Sequence, residues 1–375
     1  MLRAIGVRLL VWGGLMAAIL LYSGHLRWPA AESEPSQPVG PASAPETPAG
    51  PGWPHVRGPL YSGVSEETGL ADHWPAGGPA LVWKREIGRG YSAMTAAGNR
   101  LFTQRQTATE QSVLCLDAQT GVTVWEYRYG WAYEPGGMYP GPRATPTWHA
   151  GRVYFAAPDG LIGCLRAEDG TRVWEMNVNK QFGGRGTDFG YACSPLVEAG
   201  KVILPVGGER ASVVALSAID GSTVWTSGSE PASYCSAIPI TFNGGRLVVA
   251  FLQNALALVD LESGKWLWQR EYSKGYDEHA AIPVYREPHL MVMSPFQAGA
   301  DLFRLEAPAT TSGGGQPAPV RARLVWHGSV LSNDTASSVL VGGHVYGFDL
   351  LEPQTNGRRP DRKSTRLNSS HTDIS

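Results

Sequence analysis

The clearest pattern of apolar and polar positions in the chain is an apolar strand, a short polar turn with a glycine, and a second strand with a tryptophan. It occurs four times without gaps, and the glycine always stands four residues before the tryptophan. The pairs are Gly121 and Trp125, Gly170 and Trp174, Gly221 and Trp225, and Gly264 and Trp268. Successive glycines are 49, 51 and 43 residues apart, so the chain is built from repeats.

Each repeat predicts a β-hairpin with a bulged turn. Glycine supplies the left-handed backbone conformation that such a turn needs, and the tryptophan offers a large apolar area to a neighbouring sheet. A second hairpin precedes three of the repeats, and each time a Pro-containing strand start is followed by a Gly-led strand. These strand pairs begin at Thr145-Pro146 and Gly151, at Ser194-Pro195 and Gly200, and at Ile238-Pro239 and Gly245. Four short strands in roughly 43 to 51 residues make one propeller blade, so we expect an all-β propeller.

Tryptophans that occupy the marker position divide the chain into units. They are Trp83, Trp125, Trp174, Trp225, Trp268 and Trp326. Five units are complete, and the fifth carries a low-complexity insertion at residues 307–322. A sixth begins at residues 338–349, which gives about five and a half blades. We assign residues 53–360 to the propeller, which we expect to be an incomplete open arc.

The last fifteen residues, 361–375, lack the strand pattern and contain neither glycine nor tryptophan. They look like translated adapter or vector sequence, so we expect a non-native tail that packs on nothing.

The first 52 residues differ from the repeats. Residues 1–28 contain Arg3 and Arg8 and then an apolar run from Leu9 to Tyr22, the pattern of an export signal. We favour an uncleaved signal anchor over a cleaved peptide, which makes the protein a single-pass membrane protein with its propeller on the exported side. Residues 29–52 are rich in Pro and Ala, and we expect them to form an extended linker without regular structure.

Composition narrows the function classes. Hydrophobic residues make up 43% of the chain and there are 13 tryptophans, which excludes global disorder. The net charge of −2 and the pI near 6.5 provide no basic surface for phosphates, so we expect no nucleic-acid partner. The four cysteines are far apart and include no CxxC, so neither a disulfide framework nor a zinc site is expected.

The pattern Leu-Asp-Ala-x-Thr-Gly-x-x-x-Trp at residues 116–125 resembles the repeat of the PQQ-like (pyrroloquinoline quinone repeat) β-propellers. The opening Trp53-Pro-x-x-Arg57-Gly-Pro59 is similar to the leading segment of exported bacterial members of this family, which are related to the outer-membrane assembly protein BamB. The resemblance implies rings of seven or eight blades in which each tryptophan docks on the next blade. It also implies a non-catalytic binding or assembly scaffold.

Polar residues gather where each blade begins, which is where propellers place the loops around their central channel. Candidates for ligand contact there are Arg143, Asp188, Tyr191, Asp277 and Asn333. We expect these residues to bind a protein partner or a small ligand at the mouth of the channel. The alternative is that they only form hydrogen bonds with backbone groups of the loops. Tyr91 and Tyr234 hold similar blade positions and are interpreted as packing residues.

The alternative function is a PQQ-dependent quinoprotein oxidoreductase acting on alcohols or sugars. Under this alternative PQQ and calcium would be bound, whereas the scaffold interpretation expects no cofactor and no catalytic residue. The most metal-like group is Asp277, Glu278 and His279, although adjacent side chains seldom all reach one ion. Resemblance to the quinoprotein dehydrogenases would require a disulfide between two adjacent cysteines. No two cysteines are adjacent in this chain.

Overall fold

The computed structural model of the chain describes residues 52–137, 139–272, 279–296, 298–307, 320–333, 335–349 and 368–372. The predicted signal anchor at 1–28 and nearly all of the predicted linker lie outside these residues. Gly52 already pairs with Ala97, so the linker boundary lies one residue earlier than predicted. In the described part of the chain, no helix has the length and apolar character needed to cross a membrane.

The described residues form antiparallel sheets in which strands that follow one another in sequence are neighbours. The first sheet contains β1 (Gly52–Trp53), β2 (Thr95–Ala97), β3 (Arg100–Gln106), β4 (Glu110–Asp117) and β5 (Thr123–Trp131). The second contains β6 (Thr147–His149), β7 (Arg152–Ala156), β8 (Leu161–Arg166) and β9 (Arg172–Asn177). The third contains β10 (Leu196–Glu198), β11 (Lys201–Gly208), β12 (Ala211–Ser217) and β13 (Thr223–Ser227).

Three further sheets follow in the same way. The fourth contains β14 (Ile238–Phe242), β15 (Gly245–Phe251), β16 (Ala255–Asp260) and β17 (Trp266–Glu271). The fifth contains β18 (Val284–Arg286), β19 (His289–Ser294), β20 (Gly299–Glu306) and β21 (Arg321–Gly328). The sixth contains β22 (Val339–Val341), β23 (His344–Asp349) and β24 (Asn368–Thr372). One short helix, α1 (Val178–Phe182), and a 3₁₀ turn at Pro135–Gly137 lie in the connections between sheets.

The turns before Trp125, Trp174, Trp225 and Trp268 are bulged. Trp174 lies opposite Cys164, and the register between β8 and β9 shifts by one residue immediately beyond this pair. Gly121, Gly170, Gly221 and Gly264 have φ angles of 70°, 73°, 75° and 71°. This left-handed conformation is the one that the hairpin interpretation of the repeat requires.

Each of three marker tryptophans joins its own sheet to the next one. The Trp125 indole N–H donates to Ala167 O at 3.0 Å, and its ring covers Gly170, where a Cβ atom would lie 2.7 Å from the ring. The same contact recurs between Trp174 and Gly221, and between Trp225 and Gly264. Trp83, in the extended segment before the first sheet, covers Gly121 in the same way.

Trp268 is an exception to this rule. It is half-buried and its ring meets Phe303 edge-on, with a centroid distance of 5.8 Å. The β20–β21 connection contains the predicted insertion, so the glycine turn that would receive Trp268 is replaced. The insertion therefore changes one inter-sheet contact and leaves the sheet order intact.

The core consists of layers between neighbouring sheets. Along β12, Val214 and Leu216 pack toward the second sheet, whereas Val213 and Ala215 pack toward the fourth. Successive side chains of a strand point to opposite faces, so an almost continuous apolar run is what a sheet covered on both sides requires. Inner strands of neighbouring sheets also contact each other, since β6 touches both β2 and β10. The sheets are thus arranged as the blades of a propeller, with their first strands innermost.

Residues 52–63, called the strap below, run along these inner strands. Trp53 pairs with Ala96 of β2, and Trp148 N of β6 donates to Pro54 O at 2.7 Å. The Tyr61 hydroxyl donates to Val197 O of β10 at 3.5 Å. The strap therefore contacts the first three blades from the inside.

The strap also reaches the sixth sheet. The Arg57 guanidinium is buried and donates from Nη2 to Ser62 O at 2.8 Å and to Ser338 O at 2.7 Å. Ser338 directly precedes β22, so this one side chain connects parts of the chain that are 281 residues apart in sequence. No repeat predicts this contact.

The expectation that residues 361–375 pack on nothing is wrong for residues 368–372. This segment forms β24 and pairs antiparallel with β23, from Asn368 opposite Asp349 to Thr372 opposite Val345. An edge strand presents unpaired N–H and C=O groups, and pairing through backbone hydrogen bonds needs no particular side chains. The non-native origin of the segment stays a prediction.

Candidate functional site

The candidate site lies in the loops that lead from the outer strand of one blade to the inner strand of the next. We call them the entrance loops: residues 89–93, 132–146, 178–195 and 228–237. They hold Arg143, Asp188, Tyr191 and the two tyrosines that the sequence places at similar blade positions.

Two of these loops are joined by a close backbone approach. Tyr91 N donates to Pro142 O at 2.8 Å. Gly141 has φ +95° and a Cβ atom there would lie 3.0 Å from Gly90 Cα, so only glycine fits at this crossing. The crossing places the Tyr91 side chain beside Arg143.

Arg143 lies at the centre of the cluster and is half-buried. Its Nη1 donates to Gly141 O at 2.8 Å and its Nη2 donates to Tyr139 O at 2.6 Å. The guanidinium carbon lies 5.6 Å from the centroid of the Tyr91 ring. Burial lowers the pKa of Arg143, and the neighbouring phenol groups of Tyr133 and Tyr91 act in the opposite direction.

Aromatic side chains from different loops continue from Arg143 as a row. Tyr91 and Tyr139 have a centroid distance of 6.4 Å, Tyr139 meets Phe189 edge-on at 5.5 Å, and Phe189 lies 6.2 Å from Tyr234. Phe189 N donates to the Tyr234 hydroxyl at 3.2 Å. We call these four residues the aromatic row.

The row is exposed to solvent at Tyr91 and buried at Tyr234. Tyr91 is 49% exposed, Tyr139 and Phe189 are half-buried, and Tyr234 is 9% exposed. Aromatic rings with a guanidinium are typical of surfaces that bind another molecule, because they combine a large apolar area with directed hydrogen bonds. The aromatic row and Arg143 can bind another molecule through apolar and cation–π contacts. They do not form a nucleophile or a proton-transfer pair.

The other residues predicted for this mouth have different surroundings. Asp188 is exposed and precedes Phe189 in sequence. Tyr191 is 3% exposed, and its hydroxyl lies 2.7 Å from Asn179 Oδ1 and 2.8 Å from Val206 O. Asn333 is 2% exposed and its amide donates to Ser338 Oγ at 2.8 Å. Tyr191 and Asn333 therefore have internal partners, as the alternative interpretation of loop support expects.

Two of the three metal candidates, Asp277 and Glu278, lie outside the described residues. His279 is described and fully buried, with its ring stacked on Phe251 at a centroid distance of 4.1 Å. Within the described ranges, no group of three His, Cys, Asp or Glu side chains comes together as a cation site. We therefore derive no catalytic step from the described residues.

The four cysteines are buried free thiols, and Cys115 and Cys164 lie at the same position of successive repeats, opposite Trp125 and Trp174. Burial raises the pKa of Cys115 to about 11, of Cys164 to about 11 and of Cys193 to about 12, and it also raises the pKa of Cys235. Thiols of this kind stay protonated at neutral pH and behave as small apolar side chains. The four cysteines therefore act as packing residues.

Sequence reasoning missed Tyr139 and Phe189, which link Tyr91 to Tyr234. Both lie in irregular loops and belong to no repeat, so periodicity carries no signal for them. Both lie shortly before a strand that begins with a small residue and a proline. This position is the sequence signal that could have identified them.

The fold and the site define a β-propeller of PQQ-like repeats with a loop surface suited to binding. A family model described as outer membrane protein assembly factor BamB matches residues 110–347, which is more than half of the chain. The chain therefore belongs to this family. A comparison with curated protein sequences finds no match.

Solved structures with a similar architecture include BamB from Moraxella catarrhalis, which is 14% identical with a TM-score of 0.36 over 69% of this chain and 80% of the other. A quinohemoprotein alcohol dehydrogenase from Pseudomonas putida is 14% identical with a TM-score of 0.47 over 77% and 56%. The Cps50 (Swd1) β-propeller domain from Myceliophteria thermophila is 10% identical with a TM-score of 0.41 over 77% and 88%. Family membership rests on the sequence match and not on these three similarities.

Proposed function

We propose that this protein is a non-catalytic scaffold that binds a protein partner through the entrance loops. The observation that carries the proposal is the aromatic row beside Arg143, to which loops of successive blades each contribute a ring. Residues enriched at the centres of protein interfaces are aromatic residues and arginine. The blades serve as a rigid frame that holds these loops in place.

The family description supports this proposal. The matching family is described as an outer membrane protein assembly factor, and an assembly factor acts through contacts with other proteins. For this chain we extend the proposal to an exported protein that is held at the membrane by its N-terminal apolar segment. That segment would place the partner-binding loops outside the cytoplasm.

Site-specific photo-crosslinking tests the proposal. A photoreactive phenylalanine analogue replaces Tyr91 in the full chain, which is expressed in a bacterial host and irradiated. We expect one discrete crosslinked product with an envelope protein, and an excess of the unlabelled chain should compete it away.

The matched control carries the same analogue at Val122, which is 61% exposed in the turn between β4 and β5, away from the entrance loops. The same product from both positions, or no product from Tyr91, would contradict docking at the entrance loops.

No observation in the described residues specifically supports the quinoprotein alternative. Dye reduction with alcohols or sugars, in the presence of PQQ and calcium, is the assay that would reveal it. We expect no reduction above that of a heat-denatured control.

A further inference from the structure

Arg143 differs in its surroundings from Arg105 and Arg246, two other half-buried arginines. Arg105 pairs with Glu126 at 2.6 Å and Arg246 pairs with Glu198 at 2.5 Å. Arg143 bonds to two backbone carbonyl groups and faces phenol rings, and no described carboxylate lies within ion-pair distance of it. Its positive charge is therefore partly removed from water without an opposite charge among the described residues, which is unfavourable.

Toward the described residues, the guanidinium keeps unused hydrogen-bonding capacity. Arginine has five N–H donors, and the two bonds to Gly141 O and Tyr139 O leave roughly three. These two bonds also hold the side chain in place, so it loses little freedom when it binds a ligand. A planar carboxylate is the group that matches a guanidinium in both charge and geometry.

The spacing of the aromatic row indicates the form of the ligand. Neighbouring rings are 5.5 to 6.4 Å apart. In an extended chain, side chains on the same face recur every two residues, about 6.6 Å apart. An extended peptide can thus place alternate side chains against successive rings.

Resting on the proposed function, we infer that the entrance loops bind an extended segment of the partner protein through a carboxylate at Arg143 and flanking apolar side chains on the aromatic row. The occupant is an acidic residue with apolar residues two positions away. Arg143 supplies selectivity for the carboxylate, whereas Tyr91, Tyr139 and Phe189 supply apolar contact.

Two labelled peptides test this inference on the full chain by fluorescence anisotropy at pH 7. The probe is acetyl-Gly-Phe-Gly-Asp-Gly-Phe-Gly-amide, and the reference peptide has Asn in place of Asp. We expect the Asp peptide to bind at least about tenfold more tightly, because a charge-assisted hydrogen bond is stronger than a neutral one. The preference should shrink as salt is added.

Arg143→Gln should abolish the preference for the Asp peptide. Arg152→Gln is the matched control, because Arg152 also bonds two backbone carbonyl groups, Ala218 O and Ile219 O, away from the aromatic row. That control should keep the full preference. Tyr91→Leu should weaken both peptides equally.

Equal binding of the two peptides would overturn the carboxylate inference and leave docking on the aromatic row intact. A preference that survives in Arg143→Gln, with thermal unfolding unchanged, would also overturn it. Binding of neither peptide up to 10 mM, as an order-of-magnitude ceiling for a specific site, would overturn it as well.

Discussion

At the residue scale, the contact between a marker tryptophan and the next turn glycine has two parts that substitutions can separate. Gly170 has a left-handed φ of 73°, and a Cβ atom there would also collide with the Trp125 ring at 2.7 Å. Gly151 has a φ of 75° but no atom within 4 Å of its Cβ position. The two glycines share the backbone requirement and differ only in the tryptophan.

We predict that Gly151→Ala destabilises the protein by about 1 kcal/mol, the cost of a left-handed alanine. Gly170→Ala should cost more, roughly 2–4 kcal/mol, because the indole must also move. The difference between their urea unfolding midpoints measures the inter-blade contact. Equal midpoints would show that the tryptophan does not tie the blades together.

His55 in the strap carries a second prediction at this scale. Its ring stacks on Tyr61 at a centroid distance of 3.9 Å and is 8% exposed. Burial, and to a smaller extent the nearby His149, lowers the pKa of His55 from 6.5 to about 3. His55 is therefore neutral in the folded protein at pH 5, whereas in the unfolded chain it binds a proton below about pH 6.5.

Since the unfolded state binds the extra proton, His55 contributes less stability as the pH falls from 6.5 towards 3. Between pH 7 and pH 5 the loss should be roughly 2 kcal/mol. We expect His55→Phe, which keeps the stack on Tyr61, to remove this part of the acid sensitivity. Urea unfolding at both pH values checks it, and His73→Phe, at an exposed position, is the control. An unchanged pH dependence in His55→Phe would refute the assignment.

At the element scale, the strap joins blades that are distant in sequence. Its bond from Arg57 to Ser338 O is buried, so its loss leaves polar groups without a partner. We predict that Arg57→Gln lowers protection from hydrogen exchange around β22 and β23 by about tenfold, while β11 and β12 stay unaffected.

The control for this prediction is Arg85→Gln. Arg85 also bonds a backbone carbonyl, Gly121 O at 2.8 Å, but that bond joins the segment before the first sheet to the first sheet and does not reach the sixth. Exchange that rises uniformly across all sheets, or equally in both variants, would argue against a local strap.

Some elements of the fold could be predicted from the sequence and others could not. The turn glycines and Trp125, Trp174 and Trp225 were predictable because repetition reveals a shared register. The partner of Trp268 was not, since the insertion removes the receiving turn. The strap depends on one contact across 281 residues, and β24 depends on an open strand edge, so neither leaves a local pattern.

The candidate site was partly predictable. Arg143 was predicted as a contact residue from its place at a blade start, whereas Tyr91 and Tyr234 were noticed there but interpreted as packing residues. Their assembly into one row required Tyr139 and Phe189, whose loops are positioned by tertiary contacts such as the crossing at Gly141. Tyr191 and Asn333 share the polar character that suggested a mouth, but burial gives them internal partners.

At the scale of the whole molecule, the blades form a frame whose two ends have different roles. The hairpin turns that carry Gly121, Gly170 and Gly221 receive tryptophans from neighbouring units and are used internally. The entrance loops keep an exposed aromatic ring and a cation without a described carboxylate partner. We therefore propose that the partner binds at the entrance loops and not at the hairpin turns.

Hydrogen exchange of the full chain with and without the partner captured at Tyr91 tests this claim most directly. We predict slower exchange in residues 89–93, 132–146, 178–195 and 228–237 when the partner is bound, and no change in the turns at 117–122, 166–171 and 217–222. Protection of those turns, with the entrance loops unchanged, would contradict it.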